Sequence, residues 1–347
     1  MKLWESCKIK LEKRKQMLQP DFWYRSKNSI ISYLLWPAGQ AYSLACKIRR
    51  NYSKTWRASV PVICVGNLVV GGAGKTPTAI AIGQFFKKKG LNIHFLSRGY
   101  GKRLVGPIRV NPAGHSANDV GDEPLLLAQI APTWVSADRR AAAELAIKTG
   151  AKVLVMDDGF QNPGIHKDVS ILVVDGEVGF GNGQLIPAGP LREGVNRGVS
   201  RANAVLIIGD DEHGLNTTLK SQPNMDIKIL RGQLLPDRTV LNLKQKKVFA
   251  FSGIGRPKKF FNTLKAMGCS ISGTAEFNDH HVYTTKEINS LVQEASDMNA
   301  ILVTTSKDRV RLDEAGAGKV LEIPVSLNWE DCAELEFLFK PVLADLS

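Results

Sequence analysis

Short apolar runs, each closed by glycine, aspartate or proline, recur along this chain. The first clear one, Val60-Pro61-Val62-Ile63-Cys64-Val65, shows no polar alternation, the pattern of a strand buried on both faces. Runs at 91–96, 107–110, 133–136, 153–156, 169–174 and 204–208 also read as strands. Residues 76–89, 125–130 and 139–149 read as the helices between them. Strands alternating with helices predict an α/β fold built on a parallel, doubly wound sheet. Short strands at 226–230 and 239–243 suggest a two-stranded linker, and a second, smaller α/β domain follows. Its strands are expected at 248–252, 300–304 and 319–325, and its helices at 257–267, 285–298 and 329–344. The pattern divides the chain into 1–57, 58–225, 226–245 and 246–347.

The first strand turns through Gly71, Gly72 and Gly74 into Lys75-Thr76 and a helix, the order of a P-loop. Glycine lets the backbone curl so that successive N–H groups point at a phosphate, and the helix N-terminus adds its dipole. The expected cradle is Val69, Val70, Gly71, Gly72, Ala73, Gly74, Lys75 and Thr76. Lys75 is placed to reach the outer phosphates and Thr76 to hold a magnesium ion. The usual pattern has glycine where Val69 stands, so the run reads G-G-x-G-K-T, the deviant form. That form carries a lysine where Val70 stands. The plainer alternative is a glycine-rich turn that binds nothing; the ordered strand, loop, Gly-Lys-Thr and helix argue against it.

Other candidate chemistry sits at strand ends. Asp157 and Asp158 close an apolar run, where a nucleotide-binding fold keeps its magnesium-binding acid, although such a pair can also cap a turn. Asp122 and Glu123 precede Pro124 at a helix start and read either as an N-cap or as catalytic acids. His280 and His281 follow Asp279 in the second domain. Adjacent histidines point different ways, so they suit a proton-transfer role beside a carboxylate better than one shared metal. Arg139 and Arg192 lie near strand ends and offer charge to a transferring phosphoryl group, though surface arginine is the commoner case. Lys307-Asp308 lacks the spacing of a guanine-specificity motif, which counts against a GTPase.

Charge changes the picture at one end. The net charge is +13, yet up to Arg57 there are thirteen Lys and Arg against Glu5, Glu12 and Asp21. Trp4, Trp23, Trp36 and Trp56, with Tyr24, Tyr33, Tyr42 and Tyr52, lie in the same stretch. Basic residues attract anionic headgroups, and Trp and Tyr favour the membrane–water interface. The apolar run 30–36 is too short to span a bilayer, and no signal-peptide cleavage pattern follows. Residues 1–57 are therefore expected as a helical segment lying on a membrane surface. A basic helix packed on its own domain and a nucleic-acid surface are the alternatives, and no recognition module supports the latter. Cys7, Cys46, Cys64, Cys269 and Cys332 are scattered, odd in number and without metal-ligand spacing, as in a reducing compartment.

Taken in order, these runs resemble the tetraacyldisaccharide 4′-kinase family over nearly the whole chain. The matching runs are Gly66-Asn67, Gly71 to Pro77, Ser97-Arg98-Gly99-Tyr100-Gly101, Gly121-Asp122-Glu123-Pro124 and Asp157-Asp158-Gly159-Phe160-Gln161. Pro187-Ala188-Gly189-Pro190-Leu191-Arg192-Glu193, Gly255-Arg256-Pro257, Asp279-His280 and Lys307-Asp308 complete the set. Ala73 stands where many relatives carry a small polar residue. The resemblance implies transfer of the ATP γ-phosphoryl to the 4′-hydroxyl of a tetraacyldisaccharide 1-phosphate, giving lipid IVA. It implies a peripheral protein on the cytoplasmic face of the bacterial inner membrane, with the lipid disaccharide and the membrane surface as partners. No nucleic acid and no obligate protein partner are expected. By the same resemblance Asp122 is the general base, His280 its partner and Lys75 the contact to the transferring phosphate. Thr76, Glu123, Asp157 and Asp158 form the Mg2+ environment, and Arg139 and Arg192 stabilise phosphoryl charge or bind substrate. The rival is a membrane-associated switch ATPase of the deviant P-loop type, which normally lends its loop lysine to a partner; Val70 has none to lend. A nucleic-acid ATPase comes third.

Overall fold

The strand feeding the glycine loop, β1 (Val62–Gly66), is buried along its whole length. Val62 and Cys64 enter one hydrophobic core and Ile63 and Val65 the other, as the two-residue period of a strand requires. The computed structural model describes residues 20–24, 29–99, 106–221 and 227–344. After β1 come β2 (Ile93–Ser97), β3 (Ile108–Arg109), β4 (Thr133–Val135), β5 (Val153–Asp157), β6 (Val169–Asp175), β7 (Ala204–Ile208) and β8 (Lys228–Pro236). A second sheet contains β9 (Lys247–Ser252), β10 (Ser270–Glu276), β11 (Ile301–Thr305) and β12 (Leu321–Ile323), and then β13 (Val325–Trp329) returns to the first. The nine-stranded sheet runs β13-β8-β7-β6-β1-β5-β2-β4-β3 and the four-stranded sheet β10-β9-β11-β12. All pairings are parallel except those of the edge strands β13 and β3 in the larger sheet. This is the expected α/β, P-loop-like architecture. Because β5 and β6 flank β1, the carboxyl ends of these three strands open onto one crevice.

Three local expectations are corrected. Residues 239–243 form part of a 3-10 helix, Arg238–Leu243, rather than a strand. Asp237 accepts a hydrogen bond from the Thr239 N–H at 3.0 Å, and Val240 and Leu243, three apart, both bury into the second core. Such spacing puts side chains on one face of a 3-10 turn but on opposite faces of a strand. β8 is longer than expected and pairs with β7 and β13, so the linker strands do not pair with each other. β10 escapes the apolar-run criterion because Ser270, Gly273 and Thr274 dilute it and it is only partly buried.

The C-terminal stretch also returns to the larger unit. Helix Cys332–Ala344 puts Phe339, fully buried, 5.5 Å from Phe85 and 4.9 Å from Phe86 of the helix Lys75–Lys88. Where the chain leaves and re-enters the larger sheet, the Asp237 N–H donates to Pro324 O at 2.9 Å.

Ahead of the glycine loop, helix Ile30–Asn51 starts at Ser29, whose side chain accepts from the Ser32 N–H. Its buried residues are Ser32 and Gly39, while Ile30, Leu34, Trp36, Leu44 and Ile48 are exposed. Among the described residues no helix is long and apolar enough to cross a membrane. Residues 1–19 and 25–28 of the expected N-terminal segment, including Trp4, lie outside the described residues, as do Tyr100, Gly101 and Asp226.

Phe339→Ala is expected to lower stability by about 3–5 kcal/mol, because it removes a fully buried ring that two others pack against. A urea-denaturation midpoint within error of the wild type would contradict this.

Candidate active site

The glycine loop is shaped by positions that only glycine fills easily. Gly74, the residue before helix Lys75–Lys88, has φ +84°, and a Cβ there would lie 2.6 Å from Ile208 Cδ1. Lys75 Nζ donates to Asn67 Oδ1 at 3.2 Å and lies 3.7 Å from Asp158 Oδ1. Burial lowers the pKa of Lys75, and the charge of Asp158 opposes this. The Val70 N–H is committed to Pro190 O at 2.9 Å and so is not free for a phosphate, and Val69 lies opposite Leu191 in an antiparallel bridge.

The two aspartates after the strand at 153–157 face different partners. Thr76 Oγ1 donates to Asp157 Oδ2 at 3.0 Å, while Asp157 Oδ1 is buried with no hydrogen-bond partner. Burial, helped by the charge of Asp158, pushes the Asp157 carboxyl up to about 6. A buried carboxylate oxygen without a partner, beside a threonine hydroxyl, fits a hard divalent cation. Asp158 turns away through φ +51° and accepts from Arg192 Nη1 at 2.9 Å. Burial opposes its ionisation, but Lys75 and Arg192 outweigh it and hold its pKa low. The Arg192 N–H also donates to Leu68 O at 2.7 Å, which ties the loop at 187–193 to the end of β1.

The third cluster joins the two sheets. Asp122 opens the helix Asp122–Ala128 and is buried. Its Oδ2 lies 3.1 Å from His280 Nδ1 and accepts from Arg311 Nε at 3.0 Å, with Arg311 Nη2 as a further donor. Its Oδ1 accepts the Glu123 N–H at 3.1 Å. Burial alone would raise its pKa; the Glu123 and His280 hydrogen bonds and the charges of Lys307 and Arg311 drive it far below the usual carboxylate range. His280 is raised above its ordinary value, chiefly by the hydrogen bond to Asp122. Glu123 is raised by burial, and Lys307 Nζ donates to its Oε1.

The structure thus separates the two histidines. His281 Nε2 lies 3.2 Å from Glu287 Oε1, and its ring stacks 4.8 Å from Phe277, away from Asp122. Arg139 differs from expectation. Its Nη1 donates to the carbonyls of Ser97, at 2.8 Å, and Ser136, while Nε is buried and unpartnered. Burial pulls its pKa down to about 10. Its hydrogen bonds brace the ends of β2 and β4 and reach neither Asp122 nor Lys75.

Sequence reading missed Arg311. It shares the segment of Lys307 and Asp308, and its guanidinium also donates to Asp308 Oδ1 at 3.1 Å. Asp308 is fully buried and accepts from Ser252, Gly253, Tyr283 and Thr305. The available signal was the Asp308–Arg311 spacing of three, which places both side chains on one helical face.

A family model described as tetraacyldisaccharide-1-P 4′-kinase matches residues 31–343. The tetraacyldisaccharide 4′-kinase of Rhodospirillum centenum is 48% identical over 332 residues, covering 94% of this chain and 97% of the relative. That of Parvibaculum lavamentivorans is 47% identical over 305 residues, covering 86% and 88%. Among solved structures, LpxK from Aquifex aeolicus in complex with ATP aligns with a TM-score of 0.72 and 26% identity, covering 90% of this chain and 99% of that one.

Arg311→Ala is expected to cost about 3–5 kcal/mol at neutral pH, because it strips the paired charge from a buried carboxylate. The depressed pKa of Asp122 gives stability that is present above the unfolded-state value and lost as pH falls. Because its folded-state pKa lies far below the unfolded one, that loss falls in strongly acid solution, below the unfolded-state value. A urea-denaturation midpoint within error of the wild type at pH 7 would contradict the assignment.

Proposed function

The chain belongs to the tetraacyldisaccharide-1-P 4′-kinase family, and we propose that it moves the γ-phosphoryl of ATP to the 4′-hydroxyl of a tetraacylated disaccharide 1-phosphate in lipid A synthesis. The observation that carries this reading is that the Asp122–His280 pair, which joins the two sheets, lies beside the Gly71–Thr76 cradle: helix Asp122–Ala128 packs on helix Lys75–Lys88, and the Glu123 charge acts on Asp157. A cradle alone suits any ATPase; a base held beside it suits transfer to an alcohol.

Residue roles follow from the hydrogen bonds. Asp122 is held ionised, and both its oxygens already accept. It is therefore a weak base with little room for a substrate hydroxyl. Ionised Asp122 favours the proton on His280 Nδ1, which leaves Nε2 as the acceptor. His280 thus takes the proton of the 4′-hydroxyl, and Asp122 orients and charges it, reversing the order expected from sequence. Lys75 gives up its contact with Asn67 to meet the transferring phosphate. Arg192 holds Asp158 and can turn to phosphoryl oxygens; Arg139 acts through the strand ends. Mg2+ would be held by Asp157 and Thr76, with Asp158 and Glu123 as neighbouring carboxylates, and would neutralise charge on the phosphates.

The helix Ile30–Asn51 supplies the membrane contact. Small Ser32 and Gly39 face the protein, where a Cβ on Gly39 would lie 3.2 Å from Leu185 O, and large apolar side chains face out. That inverts the usual amphipathic order and suits a helix whose outer face meets lipid. A peripheral position on the cytoplasmic face of the inner membrane places the crevice beside a lipid acceptor.

The test is direct. Purified protein with ATP, Mg2+ and tetraacyldisaccharide 1-phosphate in detergent should give a product heavier by one phosphate; no such product overturns the reading. Turnover should rise with pH through the raised pKa of His280, since only neutral imidazole accepts a proton. His280→Ala should lose roughly 10²–10⁴-fold in kcat, the usual weight of a general base, while His281→Ala keeps most of it. Leu34→Asp with Leu44→Asp should abolish co-sedimentation with anionic vesicles without shifting thermal unfolding, because both side chains are exposed.

A further inference from the structure

Gly72 lies in the glycine loop, and its carbonyl is held from the four-stranded sheet's side of the molecule. Arg256 Nη2 donates to Gly72 O at 3.1 Å. The same guanidinium pairs with Asp175 at the end of β6. Lys259 Nζ also donates to Asp175 Oδ2, at 2.7 Å. Arg256 immediately precedes helix Pro257–Ala266 and Lys259 lies in its first turn, so one helix start fixes both cations.

The direction of this contact matters. A trans peptide sends its C=O and the following N–H to opposite sides. Among the described residues the cis bond is Ile186–Pro187, so the Gly72–Ala73 peptide is trans. β6 and β5 flank β1 on opposite sides. Arg256 stands with Asp175 on the β6 flank, while Lys75 leans toward Asp158 on the β5 flank, at 3.7 Å. Holding the Gly72 carbonyl on the β6 flank turns the Ala73 N–H toward the side of Lys75, where the phosphates belong. The Ala73 methyl is anchored in the buried core, and on the Gly72 side little besides Arg256 restrains this peptide. A Cβ on Gly72 would meet nothing within 4 Å, and glycine is the residue freest to rotate.

We propose that Arg256 is a positioning residue for the nucleotide: it fixes the Gly72–Ala73 peptide so that the Ala73 N–H is presented to the phosphates, and Asp175 fixes Arg256. The four-stranded sheet's side thus helps to complete the nucleotide cradle as well as bringing His280. The proposal rests on the ATP-dependent kinase reading above.

Steady-state kinetics on the full chain separate this role from a merely structural one. Arg256→Ala should raise KM for ATP roughly tenfold, the weight of one well-placed hydrogen bond, while kcat and KM for the lipid disaccharide change less than about twofold. Arg256→Lys keeps a charge for Asp175, and hence wild-type unfolding, but a single ammonium cannot serve carboxylate and carbonyl as the planar fork does. It should still raise the ATP KM. Lys259→Ala removes a partner of Asp175 and leaves the Gly72 contact, so its ATP KM should match the wild type. Wild-type ATP KM in both Arg256 variants would overturn the proposal, as would an equal rise in Lys259→Ala. Absence of turnover in the wild type would instead refute the kinase reading itself.

Discussion

A buried carboxylate must find partners or give up its charge, and Asp122 finds them across a chain separation that no local structure could bridge. Its ionised form depends on Arg311 and His280, both contributed from the side of the four-stranded sheet. Arg311 is in turn aligned by Asp308, whose oxygens collect donors from Ser252, Gly253, Tyr283 and Thr305. That network is the ground for proposing Asp122 as an orienting anion rather than as the base. A carboxylate this well satisfied holds protons weakly, while the imidazole beside it holds one more tightly than usual.

The glycine loop shows the same division between local and distant control. Its curvature is written in Gly71 and Gly74, both at positive φ. Its commitments are not local. Val70 belongs to Pro190, Asn67 receives Gln161 on its carbonyl, and the carbonyl of Gly72 belongs to Arg256. The sheet supplies the place, and the segments at 187–193 and 255–259 decide which N–H groups remain available.

Much of this was legible in the sequence because the signals were local. Val62 to Val65 announced a strand buried on both faces, and Gly74-Lys75-Thr76 announced the turn after it. Asp157 after an apolar run read correctly as a strand-end acid, since strand length and burial are set by neighbours in the chain. What stayed hidden needed contacts between distant segments. Arg311 looks like any surface arginine until the fold brings it to Asp122. The bracing of Ser97 and Ser136 by Arg139 was hidden in the same way. The strand Ser270–Glu276 lacked an apolar signature because its position at one edge of the four-stranded sheet asks for less burial. The 3-10 helix at Arg238–Leu243 was misread because a short apolar stretch carries no unambiguous period.

The paired crossings at Asp237 and Pro324 have a mechanical consequence. Two neighbouring stretches of backbone, stitched to each other, are stiff to stretching and soft to torsion. Any relative motion of the two bodies would turn about that narrow crossing. His280, Arg311, Lys307 and Arg256 all lie beyond it, so a swing that broke one of their contacts to Asp122, Glu123 or Gly72 would strain the others with it.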